Sequence, residues 1–89
     1  MLFMAVYSYP PENREEIINR RAEGLFIPEG AKLHGQWSAV AGGTVFTLVE
    51  ASDPLVAVQC FQGWNSMGEF DVFPVMDTDA LMKAMAAMK

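Results

Sequence analysis

The chain has 89 residues, of which 52% are hydrophobic, and it carries a formal net charge of −5. This length predicts a single domain over residues 1–89, with a core that is small relative to its surface. The acidic balance and the absence of a basic run exclude the charge pattern of a nucleic-acid-binding protein. The high apolar fraction exceeds what two thin layers can cover, which indicates an oligomer.

The single cysteine and the hydropathy of the chain indicate the cellular compartment. Cys60 is the only cysteine, which excludes an internal disulfide and a cysteine-cluster metal site. The apolar start of the chain has no basic segment before it and meets Pro10-Pro11 too early for a signal peptide. No apolar stretch approaches the roughly 20 residues that span a bilayer. We therefore expect a cytoplasmic protein that does not enter a membrane.

The first third of the chain predicts a strand followed by a helix. Leu2–Tyr9 is apolar on both faces, which is typical of a strand covered on both sides, and Pro10-Pro11 ends it. Glu12–Gly24 has acidic residues near its start and arginines near its end, as the helix dipole favours. Its predicted buried stripe consists of Ile18, Ala22 and Leu25.

Lys32–Glu50 predicts two antiparallel strands joined by a turn at residues 39–43. Simple alternation places Lys32, His34, Gln36 and Ser38 on a polar face, and Leu33, Gly35, Trp37 and Ala39 on an apolar face. With this turn, paired residue numbers sum to about 81–83. Lys32 is then opposite Glu50, which favours an ion pair between these two, and His34 is adjacent to Glu50.

The last third predicts a helix, a strand and a final helix. Asp53 and Pro54 start a helix with an apolar face formed by Ala57, Cys60, Phe61, Trp64 and Met67. Gly63 inside it indicates that a backbone or a ligand comes close there, and Gly68 ends the segment. Phe70–Met76 is a strand whose Pro74 belongs at a sheet edge. Asp77 caps a last helix, along which Leu81, Met85 and Met88 share a face.

The resulting order, β-α-β-β-α-β plus a C-terminal helix, is an α+β, ferredoxin-like arrangement with an antiparallel four-stranded sheet. Two helices cover only one face of that sheet. A second copy of the sheet would cover the other face with two-fold symmetry, so we expect a homodimer.

Several short segments carry a family resemblance. They are Met1–Met4, Asn13-Arg14, Pro28–Gly30, Leu48–Glu50 with Asp53-Pro54, Trp64, and Phe73–Asp77. Together they resemble the domain-of-unknown-function family 3303 over nearly the whole chain. That family is similar to the dimeric α/β-barrel superfamily, in which two ferredoxin-like protomers pair sheet to sheet. The resemblance implies this fold and a dimer, but no function.

Members of that superfamily include monooxygenases without a prosthetic group, haem-degrading enzymes and muconolactone isomerases. The haem-degrading members use an asparagine on the first strand, a tryptophan on the third and a histidine on the second helix. This chain has Tyr7, Val45–Thr47 and no histidine in those places. Haem degradation is therefore set aside, and no cofactor is expected. One histidine and dispersed acids do not supply the ligands of a zinc site either.

The candidate site residues are a histidine, an amide and four aromatic side chains. His34 is the candidate catalytic residue, because an imidazole can act as a general base near neutral pH. The candidate ligand-binding residues are Tyr7, Gln36, Trp37, Phe46 and Trp64. As ligand-binding residues, Trp37, Phe46 and Trp64 would line a pocket between sheet and helices, but their spacing equally fits an ordinary core, which is the interpretation we favour.

Two functional hypotheses remain open at the level of sequence. The first is a homodimer that binds a small apolar or aromatic molecule, with cofactor-free monooxygenase or isomerase activity implied only by the superfamily resemblance. The alternative is a non-catalytic structural or regulatory dimer with a filled interior. A cavity of a few hundred Å³ beside His34 would favour the first hypothesis.

Overall fold

A computed structural model describes residues 1–24, 26–64 and 66–88 of the chain. The strands are β1 (Leu2–Ser8), β2 (Ala31–Ser38), β3 (Thr44–Ala51) and β4 (Glu69–Val75). The helices are α1 (Arg14–Ala22), α2 (Pro54–Gln59) and α3 (Thr78–Ala87). Short 3-10 segments precede α1 at Pro11–Asn13 and follow α2 at Gln62–Trp64. The predicted element order is confirmed.

The four strands form one antiparallel sheet in the order β2-β3-β1-β4. This strand order is that of a ferredoxin-like fold, with β1 and β3 at the centre. Pro74 lies in the edge strand β4, opposite Phe3 of β1. The prediction of an edge position for Pro74 is confirmed, since an edge strand has one side on which a missing N–H donor is not needed.

The core lies on the face of the sheet that carries α1 and α2. Alternate residues of the central strands are buried there, among them Phe3 and Ala5 of β1 and Val49 of β3. They pack against Ala57 and Phe61 from the α2 region. The shortest dimension of the molecule is 18 Å, which fits one sheet plus one helical layer.

The opposite face of the sheet is called the open face. It carries large apolar side chains that no helix covers, because alternate strand residues point away from the core. Its members are Leu2, Met4, Val6, Trp37, Phe46, Leu48 and Phe73.

Helix α1 buries a different stripe from the one predicted. Ile17 is buried, whereas Ile18 is 54% exposed and Ala22 is also exposed. Leu25 lies outside the described residues. The reason is polar anchoring: the Asn13 side chain donates to the carbonyl of Met67 at 2.8 Å, and Asn13 and Ile17 share a helix face.

The second helix is shorter than its apolar pattern predicts. Asp53 caps it by accepting a hydrogen bond from the Val56 N–H at 3.0 Å, as expected. After Gln59 the backbone tightens into i→i−3 hydrogen bonds, such as Trp64 N–H to the carbonyl of Phe61 at 3.1 Å. Trp64 still faces the sheet, since the apolar periodicity continues through the tighter turns.

The C-terminal helix α3 makes no contribution to the core. Asp77 caps it, accepting a hydrogen bond from the Ala80 N–H at 3.2 Å. Every residue from Thr78 to Ala87 is exposed, including Leu81 and Met85. The apolar side of α3 is therefore without a partner within the described part of the chain.

Candidate functional site

A β-bulge in β2 decides which side chains face the helices. Leu33 pairs with Val49 and Gly35 pairs with Leu48, so His34 is an extra residue between two regular pairs. A bulge shifts the alternation by one residue, because side chains on either side of it change faces relative to a regular strand. Gln36 therefore points to the helices, and Trp37 points to the open face.

This arrangement corrects the predicted faces of β2. His34 and Gln36 do not share a face, and Trp37 does not lie with Leu33 on the core side. Gly35 was the missed signal, since a glycine inside a strand often marks a bulge. A Cβ atom on Gly35 would lie 2.6 Å from the Trp37 ring, so the missing side chain leaves room for the indole.

A cleft lies between the helix side of the sheet and the α1 and Gln62–Trp64 segments. Its empty volume is about 420 Å³ when the open mouth is counted. Within this volume, the centre of a water molecule can move through about 50 Å³ without overlapping protein atoms. It therefore has room for a molecule of about single-ring size. Its lining combines aromatic, aliphatic and polar side chains: Tyr7, Ile17, Arg21, Gln36, Ser38, Val45, Thr47, Phe61, Trp64 and Phe70.

One wall of the cleft is a cluster of aromatic rings. The centroids of Tyr7 and Phe70 are 4.3 Å apart, and those of Phe61 and Phe70 are 4.9 Å apart. Trp64 stands edge-on to Tyr7 at 5.9 Å and 73°. These are the tilted and edge-to-face arrangements that aromatic rings prefer, and they form a rigid apolar surface on the inner side of the cleft.

A chain of hydrogen bonds forms the other wall. The Nε of Arg21 donates to Oε1 of Gln36, and Nε2 of Gln36 donates to the hydroxyl of Thr47 at 3.0 Å. Thr47 is only 2% exposed, so this end of the chain is anchored in the core. Both ends of the Gln36 amide are thereby engaged, and the guanidinium of Arg21 is held at the mouth.

The hydroxyl of Tyr7 is fixed at the end of the cleft. It donates a 2.9 Å hydrogen bond to the carbonyl of Trp64. Burial raises the pKa of Tyr7, and the nearby charge of Arg20 offsets part of this effect. The phenol is therefore protonated at neutral pH and acts as a hydrogen-bond donor.

Arg20 holds the segment that carries Trp64. Its Nη1 donates to the carbonyl of Gly63, and its Cζ lies 5.8 Å from the centroid of the Trp64 ring. This is a cation–π geometry. Both Arg20 and Arg21 come from the last turn of α1, so one helix end positions both walls of the cleft.

The predicted site residues divide between the two faces of the sheet. Tyr7, Gln36 and Trp64 line the cleft. Trp37 and Phe46 pair across β2 and β3 on the open face, where they are 55% and 38% exposed. The expectation that these two line a pocket between sheet and helices is wrong, because the bulge turns Trp37 away from the helices.

His34 also lies on the open face, at one corner of the sheet. Its Nε2 is 3.2 Å from Oε1 of Glu50. Lys32 is opposite Glu50 in the register, as predicted, but within the described residues the carboxylate of Glu50 contacts His34 and forms no ion pair with Lys32. Lys32 and His34 share this face by simple alternation, because the bulge changes the faces only of the residues that follow His34.

Cys60 is not activated as a nucleophile. It is buried, and its Sγ lies 3.6 Å from the carbonyl of Val56. Burial raises the pKa of the thiol, so the thiolate is a minor species at neutral pH. Cys60 therefore serves the core, as its place on the apolar stripe predicts.

Only three of the ten lining residues are predicted site residues, and Arg21 and Thr47 are among those that sequence reasoning missed. The sequence pattern indicates only a charge at the helix end for Arg21 and only a place in the second strand of the hairpin for Thr47. Periodicity from Asn13 through Ile17 to Arg21, at i, i+4 and i+8, was the available signal. It would have placed Arg21 on the face that meets the sheet.

Strand order, helix placement and cleft define an α+β, ferredoxin-like protein with a small aromatic-lined site between its two layers. The family model described as domain of unknown function (DUF3303) matches residues 1–89. The chain belongs to this family. No curated protein and no solved structure shows significant similarity to it. Among the described residues, no helix is both long enough and apolar enough to cross a membrane.

Proposed function

We propose that the protein is a homodimer that binds a small apolar or aromatic molecule in the cleft. The observation that carries this proposal is the convergence of an aromatic wall and a polar wall on one concave space. Such a space, mostly apolar with a few fixed polar groups, is the usual form of a small-molecule site. Tyr7, Gln36 and Trp64 supply part of both walls.

The chemistry of the lining favours binding and orientation over acid–base catalysis. Its polar groups are a protonated phenol, an amide, two hydroxyls and a guanidinium. None of these groups changes its protonation state near neutral pH, so none is suited to act as a general acid or base there. His34 faces the other side of the sheet, so within one chain it does not reach a ligand in the cleft. Proton transfer by His34 requires a ligand on the open face.

The dimer forms through the open face, in the manner of a dimeric α/β barrel. Trp37, Phe46 and Phe73 leave large apolar surfaces exposed on one flat side of the molecule. A contiguous apolar surface of this kind is typical of a protein interface. A second sheet related by a two-fold axis would cover it with the same residues.

The alternative, a non-catalytic structural or regulatory dimer, is favoured by one observation. The cleft leaves only about 50 Å³ for the centres of water molecules, so most of the interior is filled by side chains. It also lies away from His34, where a larger cavity was the expected sign of a catalytic site. The two functions differ in whether a small molecule binds saturably.

The two tryptophans allow this test, because each reports on one face. In Trp37→Phe the only indole is Trp64, in the cleft, and in Trp64→Phe it is Trp37, on the open face. We expect titration with benzyl alcohol to change the Trp64 emission saturably and to leave the Trp37 emission unchanged. Absence of a saturable change in both variants would favour the filled dimer. A change confined to Trp37 would place the site on the open face.

A further inference from the structure

Two neighbouring arginines lie beside the cleft in a strongly acidic chain: Arg21 lines it, and Arg20 contacts the Trp64 ring from outside the lining. The sequence has 11 acidic residues against 6 basic ones, yet within the described residues neither Arg20 nor Arg21 lies within 4 Å of a carboxylate. Both use one nitrogen to bind a neutral oxygen, on Gly63 and on Gln36 respectively. Their positive charge is therefore not neutralised by an acid of the described chain.

Arg21 is held in a position suited to a ligand. Its Nε is engaged by Gln36, which is itself fixed by the buried Thr47. This anchoring leaves the two terminal nitrogens of the guanidinium as a planar pair of donors. Such a pair matches the two oxygens of a carboxylate, and less conformational freedom is lost when the guanidinium is already fixed.

The remaining lining of the cleft indicates the apolar part of the ligand. The rings of Tyr7, Phe70 and Trp64 surround space for about one six-membered ring, and no acidic side chain is among the lining residues. An apolar ring can therefore lie against the aromatic wall while an anionic group reaches the mouth. A highly charged anion would not use this wall, because most of the lining is apolar.

From this geometry we propose that the cleft selects a single-ring carboxylate, aromatic or alicyclic, and that Arg21 binds its carboxylate group. This inference rests on the proposed function and gives the chemical class of the ligand. Arg20 adds positive potential beside the carboxylate, while its hydrogen bond to Gly63 keeps Trp64 in place. Arg21 is thus the specificity-determining residue of the site.

The experiment compares benzoate with benzyl alcohol, a neutral ring of similar size, in the Trp37→Phe background. Trp64 emission reports the affinity of each. We expect benzoate to bind roughly ten- to a hundredfold more tightly, as a charge-assisted hydrogen bond allows. Arg21→Gln should remove this preference while benzyl alcohol affinity is retained, which shows that the cleft remains folded.

Arg14→Gln is the matched control, because Arg14 lies in the same helix but outside the cleft lining. It should leave the preference for benzoate intact. Equal affinities for the two probes would overturn the carboxylate assignment and leave the proposed function standing. An equal loss in Arg14→Gln and Arg21→Gln would reduce the effect to overall charge and overturn the role of Arg21. Failure of both probes to bind would overturn the inference and the proposed function together.

Discussion

Gly68 lies where its backbone comes close to the end of β1 and to the ring of Tyr7. A Cβ atom there would lie 2.5 Å from the carbonyl oxygen of Ser8 and 2.7 Å from Cζ of Tyr7. Gly63, the glycine singled out by its place in an apolar helical pattern, would meet nothing within 4 Å. The close backbone approach therefore lies at Gly68 and not at Gly63, because helix periodicity carries no information on contacts between distant segments, and the approach of a ligand to Gly63 stays a prediction.

These two glycines form a matched pair of test positions. We predict that Gly68→Ala lowers the free energy of unfolding by about 2–3 kcal/mol, because the new methyl group meets backbone that cannot move freely. Gly63→Ala should change it by no more than about 1 kcal/mol, in the stabilising direction. Urea unfolding of both variants measures the difference. Equal stabilities would show that Ser8 and Gly68 are not in close contact.

A second prediction concerns the hydroxyl of Tyr7. Tyr7→Phe removes its hydrogen bond to the Trp64 carbonyl, which then keeps only the bond from the Met67 N–H, so we expect a loss of about 1 kcal/mol in unfolding free energy. Tyr9→Phe is the control, since the structure gives the Tyr9 hydroxyl no partner among the described residues. A loss in Tyr9→Phe equal to that in Tyr7→Phe would contradict the assigned hydrogen bond.

At the level of elements, the strand register and the capping residues could be predicted from local sequence, whereas the buried face of α1 could not. The hairpin register was predictable, because Lys32 and Glu50 pair as the turn position requires. The bulge at His34 does not follow from the alternation of side chains, and only Gly35 indicates it, since a glycine inside a strand often marks a bulge. The burial of Ile17 instead of Ile18 does not follow from the apolar stripe alone, because the bond from Asn13 to Met67, which joins segments 54 residues apart, fixes the face of α1 that meets the sheet.

The capping residues of α2 and α3 differ in whether the helix that they cap packs on the core. Asp53→Ala should lower the free energy of global unfolding by about 1 kcal/mol, because α2 presents the buried Ala57 to the sheet. Asp77→Ala should leave it unchanged and only speed amide exchange in α3, whose residues are all exposed. Amide exchange and urea unfolding together measure both effects. A global loss from Asp77→Ala would mean that α3 packs against a structured partner.

At the level of the whole molecule, the two faces of the sheet have separate tasks. One face holds the core and the cleft, and the other exposes an apolar surface, which we propose is covered by a second copy. The candidate residues Tyr7, Gln36 and Trp64 could be placed at a shared site from their elements, but Trp37, Phe46 and His34 could not be separated from them. One extra residue in β2 reverses which of the following side chains point to the helices. The spacing of polar and apolar residues in β2 does not show this reversal.

The proposed interface can be tested by a charge at the centre of the open face. Phe46→Glu should convert the dimer to a monomer in sedimentation velocity, because two-fold pairing brings the new carboxylates into a desolvated contact. Leu55→Glu places the same change on an exposed position of α2 and should leave the dimer intact. Dimers of equal stability in both variants would exclude the open face as the interface.

The central claim is that a homodimer holds a small molecule in the cleft, and native mass spectrometry tests both halves of it at once. The protein is measured as purified from cells and again after addition of benzoate, with the denatured chain as the mass reference. We predict a dimer that carries one small-molecule mass per protomer. A bare monomer in both preparations would contradict the claim, and a bare dimer in both would leave the filled structural dimer as the function.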